Sequence, residues 1–475
     1  MHQTFALVMS GILCTALGLQ VRGESLAPVD QDVKSIPETE LYSHPKEAPV
    51  VWRTQIGDMA GGLALAQGRV LAGSRLRGEK PTPKGAVIKD EGGAMVCLDR
   101  ETGALQWQTV HAPVGLRFLD LGEALSAPCV SGPRTWYLTN RAELVCVDLA
   151  ASDTAHGPAV LWTLDMAREL GVFRRGHSDI ASASSSPVEL DHLVYCSTGE
   201  GLRLDGSPST APSFIAVDKD TGKIAWSSNA PAPNLLFAQW TSPVIARVKG
   251  RYQVIFPGSD DWLYGLDPLT GKELWKVDCL ALSGIDRSSL AKSKQRGYPP
   301  KAPVFVGAPV VDGDTLFVGL ADSYFGLGVD PPSPLLAISL EGQGDATAMA
   351  KRWSFQDPDF GSTHVAPAVA DGIVYVIGNR STLFALEEKT GRVLWQSRYD
   401  EDPPCHFAAP LVSHSRVFVM GISGDLFIYR AGSQKQCLAH WSFGEMARTG
   451  PVADEDSIYV PTNGYLWRVR LSGLP

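Results

Sequence analysis

Short apolar runs recur along the chain, and the same polar phrase closes each of the clearest ones. Ala94-Met95-Val96-Cys97-Leu98 leads into DRETGALQW at 99–107, and Phe214-Ile215-Ala216-Val217 into DKDTGKIAW at 218–226. Leu263-Tyr264-Gly265-Leu266 leads into DPLTGKELW at 267–275, and Leu383-Phe384-Ala385-Leu386 into EEKTGRVLW at 387–395. Runs of four or five such residues bounded by turn formers read as strands. Asp followed by Thr-Gly is turn chemistry: the carboxylate caps backbone N–H groups, and glycine takes the positive φ of a tight hairpin. The tryptophan then falls on the returning strand. A buried indole removes ~150–250 Å² from water, so one at a fixed place in each unit reads as a wedge between neighbouring sheets.

Weaker copies complete the series. Leu144–Asp148 leads to Trp162, Leu335–Ser339 to Trp353, and Leu426–Tyr429 to Trp441. A small residue followed by proline and an apolar run opens each unit, at Pro128, Pro187, Pro243, Pro309, Pro367, Pro410 and Pro451; the first unit, near Leu63, lacks the proline. Each unit therefore reads as four strands joined by turns, a propeller blade. Eight starts are matched by seven following wedges: Trp107, Trp162, Trp226, Trp275, Trp353, Trp395 and Trp441. The eighth lies at the other end of the chain, as Trp52 in Pro49-Val50-Val51-Trp52. The fold class expected is an all-β, eight-bladed propeller whose N-terminal strand closes the last blade, because an unpaired edge would otherwise remain.

Phe5 to Leu19 is apolar but short, and Val21-Arg22-Gly23 offers small residues for cleavage, so 1–23 reads as a secretory signal peptide. Residues 24–47 are polar and read as a flexible lead, with the propeller at 48–475. Leu13 is too large for the position before a lipidated Cys14, so an exported, periplasmic or cell-envelope protein without a lipid anchor is expected. A formal charge of −9 and the lack of a basic stripe argue against nucleic acid. No apolar run is long enough for a membrane span, and a monomer is expected. Cys97 and Cys146 fall where other blades carry Ala216, Gly265, Ala337 and Ala385, and read as buried inert thiols. Cys129, Cys196, Cys279, Cys405 and Cys437 leave room for one disulfide without specifying it.

The blade pattern also orients the ring. Turns between first and second strands, and between third and fourth, share one end. The long segments 75–93, 199–212, 322–334, 165–185 and 278–306 fall at the other, the end expected to bind. There, residues preceding the inner strands would ring the channel mouth: Gln239, Trp240, His364, His406 and Arg448, with His177 just before. Such a funnel suits a planar or anionic ligand, although a plugged channel with satisfied polar walls accounts for it as well. Asp260-Asp261 reads as a solvated turn, and no Cys/His spacing suggests a metal site.

The small-x-Asp-x-x-Thr-Gly-x-x-x-Trp repeat resembles that of pyrroloquinoline quinone (PQQ) enzymes, and 48–470 is similar to the PQQ-like eight-bladed propellers of exported bacterial proteins. The stretch 211–226, with Gln239-Trp240-Thr241-Ser242-Pro243 and Val254-Ile255-Phe256-Pro257-Gly258, is similar to a subfamily labelled as like BamB, the outer-membrane assembly scaffold. In the quinoprotein dehydrogenases that share the repeat, the resemblance implies adjacent cysteines, a Glu/Asn/Asp calcium site, a catalytic Asp and a Trp beneath the quinone. This chain has no Cys-Cys pair and no such set at matching positions; Trp240 alone could match the floor Trp. The expectation is therefore a non-catalytic scaffold with no cofactor and no catalytic residues. It would bind a protein partner or a small extracytoplasmic ligand on the loop-rich face, possible work including cell-envelope assembly. The alternatives are a quinoprotein dehydrogenase using PQQ with calcium, and a propeller that binds carbohydrate or polyanion.

Overall fold

The structure, a computed structural model, describes residues 46–57, 59–76, 92–112, 126–172, 185–201, 209–236, 239, 241–287, 303–322, 333–399 and 408–472. The proposed signal peptide and almost all of the lead lie outside them. Eight antiparallel blades form the ring, and each runs from an inner first strand to an outer fourth strand. Blade 1 comprises Met59–Ala66, Arg69–Leu76, Gly92–Asp99 and Leu105–His111. Blade 4 comprises Val244–Val248, Arg251–Pro257, Trp262–Leu266 and Glu273–Asp278, and blade 7 Leu411–Ser413, Arg416–Met420, Asp425–Arg430 and Cys437–Ser442. Blade 8 takes three strands from the C-terminal end and its outer strand, Val50–Gln55, from the N-terminal end, with Trp52 opposite Arg468. The ring closes as the missing wedge required.

The repeated phrase is a latch between blades. In blade 1, Asp99 Oδ1 accepts the Thr102 N–H at 2.8 Å and the Thr102 hydroxyl at 2.8 Å, while Gly103 stands at φ +71°. The Trp52 indole of blade 8 packs on Gly103 and donates to the Arg100 carbonyl at 3.0 Å. The same geometry joins Trp162 to Gly222 and the Lys219 carbonyl, Trp226 to Gly271 and the Pro268 carbonyl, and Trp353 to Gly391 and the Glu388 carbonyl. The wedge of one blade thus seats on the Thr-Gly turn of the next. Its own blade receives it opposite a small third-strand residue: Trp226 faces Ala216, Trp275 faces Gly265, and Trp107 and Trp162 face Cys97 and Cys146. Burial pushes both of these thiols up to about 12. Blade 7 inverts the pair, with Ile428 in the third strand facing Ala439, so Trp441 stands two residues beyond the wedge position, opposite Leu426.

Because a glycine is both the turn and the seat of the indole, Gly271→Ala meets two penalties. Its φ is +69°, and the new Cβ would lie 2.6 Å from the Trp226 ring. Left-handed strain and overpacking together predict a loss of about 2–4 kcal/mol. Gly250, at φ +81° with open space around it, incurs the strain alone, so Gly250→Ala should cost about 1–2 kcal/mol. Urea unfolding of the two variants measures the difference.

The inner strands converge on the axis, which explains the small residues at their entry. A Cβ on Gly62 would lie 2.2 Å from that of Ala127, one on Gly307 2.4 Å from Val365, and one on Gly450 2.4 Å from Ala409. Two blades depart from the repeat. Blade 2 extends its outer hairpin over Glu143–Asp153 and Gly157–Asp165. Blade 5 inserts Gly344–Asp345 and the helix Thr347–Ala350, and Gly344 and Asp345 pair in parallel with Trp275 and Lys276 on the edge of blade 4. Long connections are therefore not confined to one end, contrary to the sequence expectation: where Thr-Gly is absent, the third-to-fourth connection lengthens. All six described cysteines, Cys97, Cys129, Cys146, Cys196, Cys279 and Cys437, are buried, and Cys405 lies outside the described residues.

Candidate functional site

The described second strands end, and the third strands begin, at the rim where fourth strands hand over to the next blade. The connections 77–91, 198–213 and 323–334 within blades, and 112–128, 171–187, 229–243, 279–309, 356–367 and 399–410 between blades, join strands there. The opposite end holds two-residue hairpins such as Gln67-Gly68 (φ +47°, +73°) and Asp371-Gly372 (φ +51°, +76°), where both residues need positive φ.

Hydroxyls stitch the inner wall of this rim. Ala127 N–H donates to Ser186 Oγ at 3.1 Å, and Ser186 N–H to Ser242 Oγ at 2.8 Å. Ser197 Oγ donates to the Thr241 carbonyl at 2.9 Å, and Thr241 Oγ1 to the Phe305 carbonyl at 3.1 Å. Blades 2 to 5 are thereby linked around the axis.

Of the predicted funnel residues, Gln239, His364 and Arg448 are described. They precede blades 4, 6 and 8, two blades apart around the ring. Gln239 is buried and ties two loops together: its N–H donates to the Glu200 carbonyl at 3.0 Å, its amide oxygen accepts Ser259 N–H at 2.8 Å, and its amide nitrogen donates to the Pro257 carbonyl. His364 is buried, and Arg448 is half-exposed beside Met446 Sδ at 3.7 Å. Gln239 and His364 are thus both enclosed at this rim. Trp240, His177 and His406 lie outside the described residues.

The sequence reading missed an acidic nest at the same rim, in blade 4. Asp260 and Asp261 are 1% and 0% exposed, not a solvated turn. Asp261, at φ +60°, closes the connection Gly258–Asp261 by donating its N–H to the Gly258 carbonyl at 2.8 Å. Asp260 Oδ2 accepts the Tyr264 hydroxyl at 2.7 Å. The Asp261 carbonyl accepts Cys279 N–H at 3.0 Å, at the start of the short helix Cys279–Leu282. Asp278 caps that helix and receives the Arg287 fork, with Nη2 on Oδ1 at 2.7 Å, while Arg287 Nη1 donates to the Asp260 carbonyl at 2.6 Å. Trp262 lies beneath two cations, Arg287 at 5.2 Å and Lys276 at 5.4 Å from its centroid.

Burial raises the Asp260 carboxyl to about 6, with the Tyr264 hydroxyl opposing. Burial, then the Asp260 charge, hold Asp261 well above the usual carboxylate range, with Arg287 offsetting part. Burial, then Asp261, likewise raise the Cys279 thiol. The sequence signal for the nest was a second-to-third connection carrying adjacent acids, followed by Asp278-Cys279 at the end of the blade.

Among the described residues no group of three or more His, Cys, Asp or Glu could hold a metal ion, and no helix is long and apolar enough to cross a membrane. The fold is shared with BamB from Moraxella catarrhalis at 14% identity, TM-score 0.55, over 90% of this chain and 98% of that one. A europium-containing methanol dehydrogenase matches at 11% identity, TM-score 0.56, over 86% and 84% of the two chains. Chaetomium thermophilum Sqt1, bound to the N-terminus of the ribosomal protein L10, matches at 11% identity, TM-score 0.57, over 89% and 100%. At these identities the likeness is one of fold. No curated protein matches in sequence. The family described as outer membrane protein assembly factor BamB matches residues 159–295 and 305–473, in both halves of a ring built on the repeated latch, and the chain belongs to that family.

Proposed function

We propose that this protein is a non-catalytic scaffold of the bacterial cell envelope that holds a protein partner on its loop-rich rim. The observation that carries the reading is that the long connections within blades 1, 3 and 5 and the links between blades gather at one rim of a ring whose other end is mostly two-residue hairpins and Thr-Gly turns. A rigid ring presents variable loops at fixed spacing, which suits the recognition of a large surface. The family description supports the envelope setting, and the Sqt1 complex is an instance of this fold gripping a polypeptide terminus. The wall chemistry fits a binding role: hydroxyls of the inner wall bridge neighbouring blades, Gln239 ties two loops together, and the acids of blade 4 are enclosed.

Replacing 202–208 with a short Gly-Ser turn, while keeping Glu200 and Ser209, tests the scaffold reading. Affinity capture from envelope extract should lose the partner retained by the intact chain, with thermal stability unchanged. Identical partner lists would count against it. The second arm titrates PQQ with calcium while following quinone absorbance and dye reduction. Tight binding abolished by Trp240→Ala would replace the scaffold with a quinoprotein dehydrogenase.

A further inference from the structure

We propose that the hairpin end of blade 7 is an anion site, in which the guanidinium groups of Arg416 and Arg430 hold a phosphate-class oxyanion between them. The site lies at the end of the ring opposite the loop-rich rim, so it goes beyond the binding role of the rim and does not depend on it.

A like-charge pair stands in blade 7 where other blades place an acid. The first residue of each second strand faces the residue that enters the third-to-fourth turn. In blades 1, 2, 3 and 6 the facing residue is acidic: Arg69 faces Asp99, Arg134 faces Asp148, Leu193 faces Asp218 and Ile373 faces Glu387. Blade 7 has the arginine of blades 1 and 2 with a second arginine in the acid's place, so that Arg416 faces Arg430. Like charges directly opposite on neighbouring strands destabilise the pair, and arginine does not escape by losing its proton. Burial, then the Arg430 charge, draw the Arg416 guanidinium below its usual range. Both Nε atoms are shielded from solvent although each residue is partly exposed, so salt screens the repulsion less than on an open surface.

The pair is held in place by backbone contacts. Arg416 Nη1 donates to the His414 carbonyl at 2.9 Å. Arg430 N–H donates to the Gln436 carbonyl at 2.9 Å, and Ala431 N–H to the Ser415 carbonyl at 2.8 Å. The Trp395 indole of blade 6 donates to the Gly432 carbonyl at 2.8 Å, which fixes the turn that follows Arg430. Of the acids in the flanking turns, Glu387 pairs with Arg392 at 3.2 Å, Asp454 with Arg100 at 3.7 Å and Asp456 with Arg468 at 3.3 Å. The exposed Lys435 adds a third positive charge to the blade 7 turn. Each guanidinium fork engages two oxygens, so two forks on rigid strands match a doubly charged anion with several oxygens. Inorganic phosphate and a lipid phosphate headgroup share that chemistry.

Thermal melting in phosphate, and in sodium chloride of equal ionic strength, separates binding from screening. Phosphate should raise the parent's midpoint above that in chloride. Calorimetric titration should show phosphate bound at least tenfold more weakly by Arg430→Asp and by Arg416→Gln. Arg251→Gln, at the same strand position in blade 4, should bind as the parent does. Arg430→Asp restores the pairing of blades 1 and 2, so it should melt above the parent when phosphate is absent. Vesicles of phosphatidylcholine, alone or with phosphatidylglycerol, identify the source of the anion. Sedimentation with the anionic vesicles that both variants lose assigns a headgroup, and phosphate binding without sedimentation assigns the free ion. Equal melting in phosphate and chloride without vesicle binding, or binding of either probe that persists in both variants, would overturn the site.

Discussion

A chain lacking residues 48–56 loses cooperative folding. The outer strand of blade 8 is at once the last strand of one blade and the link that joins the two ends of the chain. Val50–Gln55 pairs along Tyr465–Arg470, from Val50 opposite Val469 to Gln55 opposite Tyr465. It also grips blade 1: Trp52 donates to the Arg100 carbonyl, Thr54 Oγ1 to the Gly103 carbonyl at 2.6 Å, and Ser74 Oγ to the Ile56 carbonyl at 2.5 Å. Arg468 completes the seam from blade 8, donating to Glu101 at 2.8 Å and to the Arg100 carbonyl at 3.2 Å while its side chain is almost fully buried. Without the strand, one edge of blade 8 and the seat on Gly103 are exposed together, and the ring opens at its seam. The loss is expected to match the whole stability of an ordinary domain, about 5–15 kcal/mol. Near-UV circular dichroism and thermal melting provide the measurement, and a sharp melt at the parent temperature would refute it. Trp52→Ala, which keeps the strand and removes the wedge, should cost about 3–5 kcal/mol by analogy with other buried tryptophans, or somewhat less because Trp52 is half-buried. A synthetic peptide spanning 46–57, added to the truncated chain, should restore cooperativity in a concentration-dependent way.

The phrase that announces the fold was legible because its parts have one physical job each: Asp to cap, Thr-Gly to turn, Trp to wedge. Trp52 was legible for the same reason, since a closed ring leaves one wedge to be supplied from the far end. What the phrase does not encode is its receiver. That Trp226 seats on Gly271 of the following blade, rather than on its own turn, depends on how sheets stack, which no spacing within a repeat records. Blade 7 shows the limit from the other side. A tryptophan close to the expected place drew attention to Trp441, while Ile428 and Ala439 had exchanged large for small across the strand pair. The strand that pairs with the edge of blade 4 was hidden because Gly344-Asp345 has no strand character of its own. Among the candidate site residues, Gln239 and His364 were placed at the correct rim, but their burial was not readable, because a polar residue ahead of an inner strand can equally face the channel or tie the wall. Asp260 and Asp261 were misread for a related reason: adjacent acids in a short connection are usually solvated, and here the outer helix and Arg287 fold over them.

The nest should give the protein an acid-favouring component of stability, with Asp261 as its main source. A carboxyl whose folded pKa lies above its unfolded value keeps a proton that the unfolded chain releases. Between those two values the unfolded state binds fewer protons, and stability falls as pH rises. For Asp260 the window runs from about 4 to about 6, and for Asp261 it begins at the same point and extends well above the carboxylate range. Asp261→Asn removes the titration while keeping the shape and a carbonyl for the Phe305 side of the pocket, so it should stabilise the protein at neutral pH by about 1–3 kcal/mol. The gain should shrink toward zero near pH 4, where the parent residue is protonated in both states. Asp278→Asn is the contrasting variant. It breaks the Arg287 fork and leaves a half-buried guanidinium short of its partner, so it should destabilise the protein by about 2–4 kcal/mol. Urea unfolding of the three proteins at pH 4.0, 6.0 and 8.0 resolves both signs. A constant offset between the parent and Asp261→Asn across that range would show that Asp261 is ionised in the folded ring. An acid that lowers stability at neutral pH, enclosed at the rim where the long connections gather, is a residue whose presence packing alone does not explain. Partner capture by Asp261→Asn therefore tests whether the nest serves binding: a stabilised protein that no longer retains its partner would assign the acid to the rim's function, and one that retains it would confine the acid to the fold.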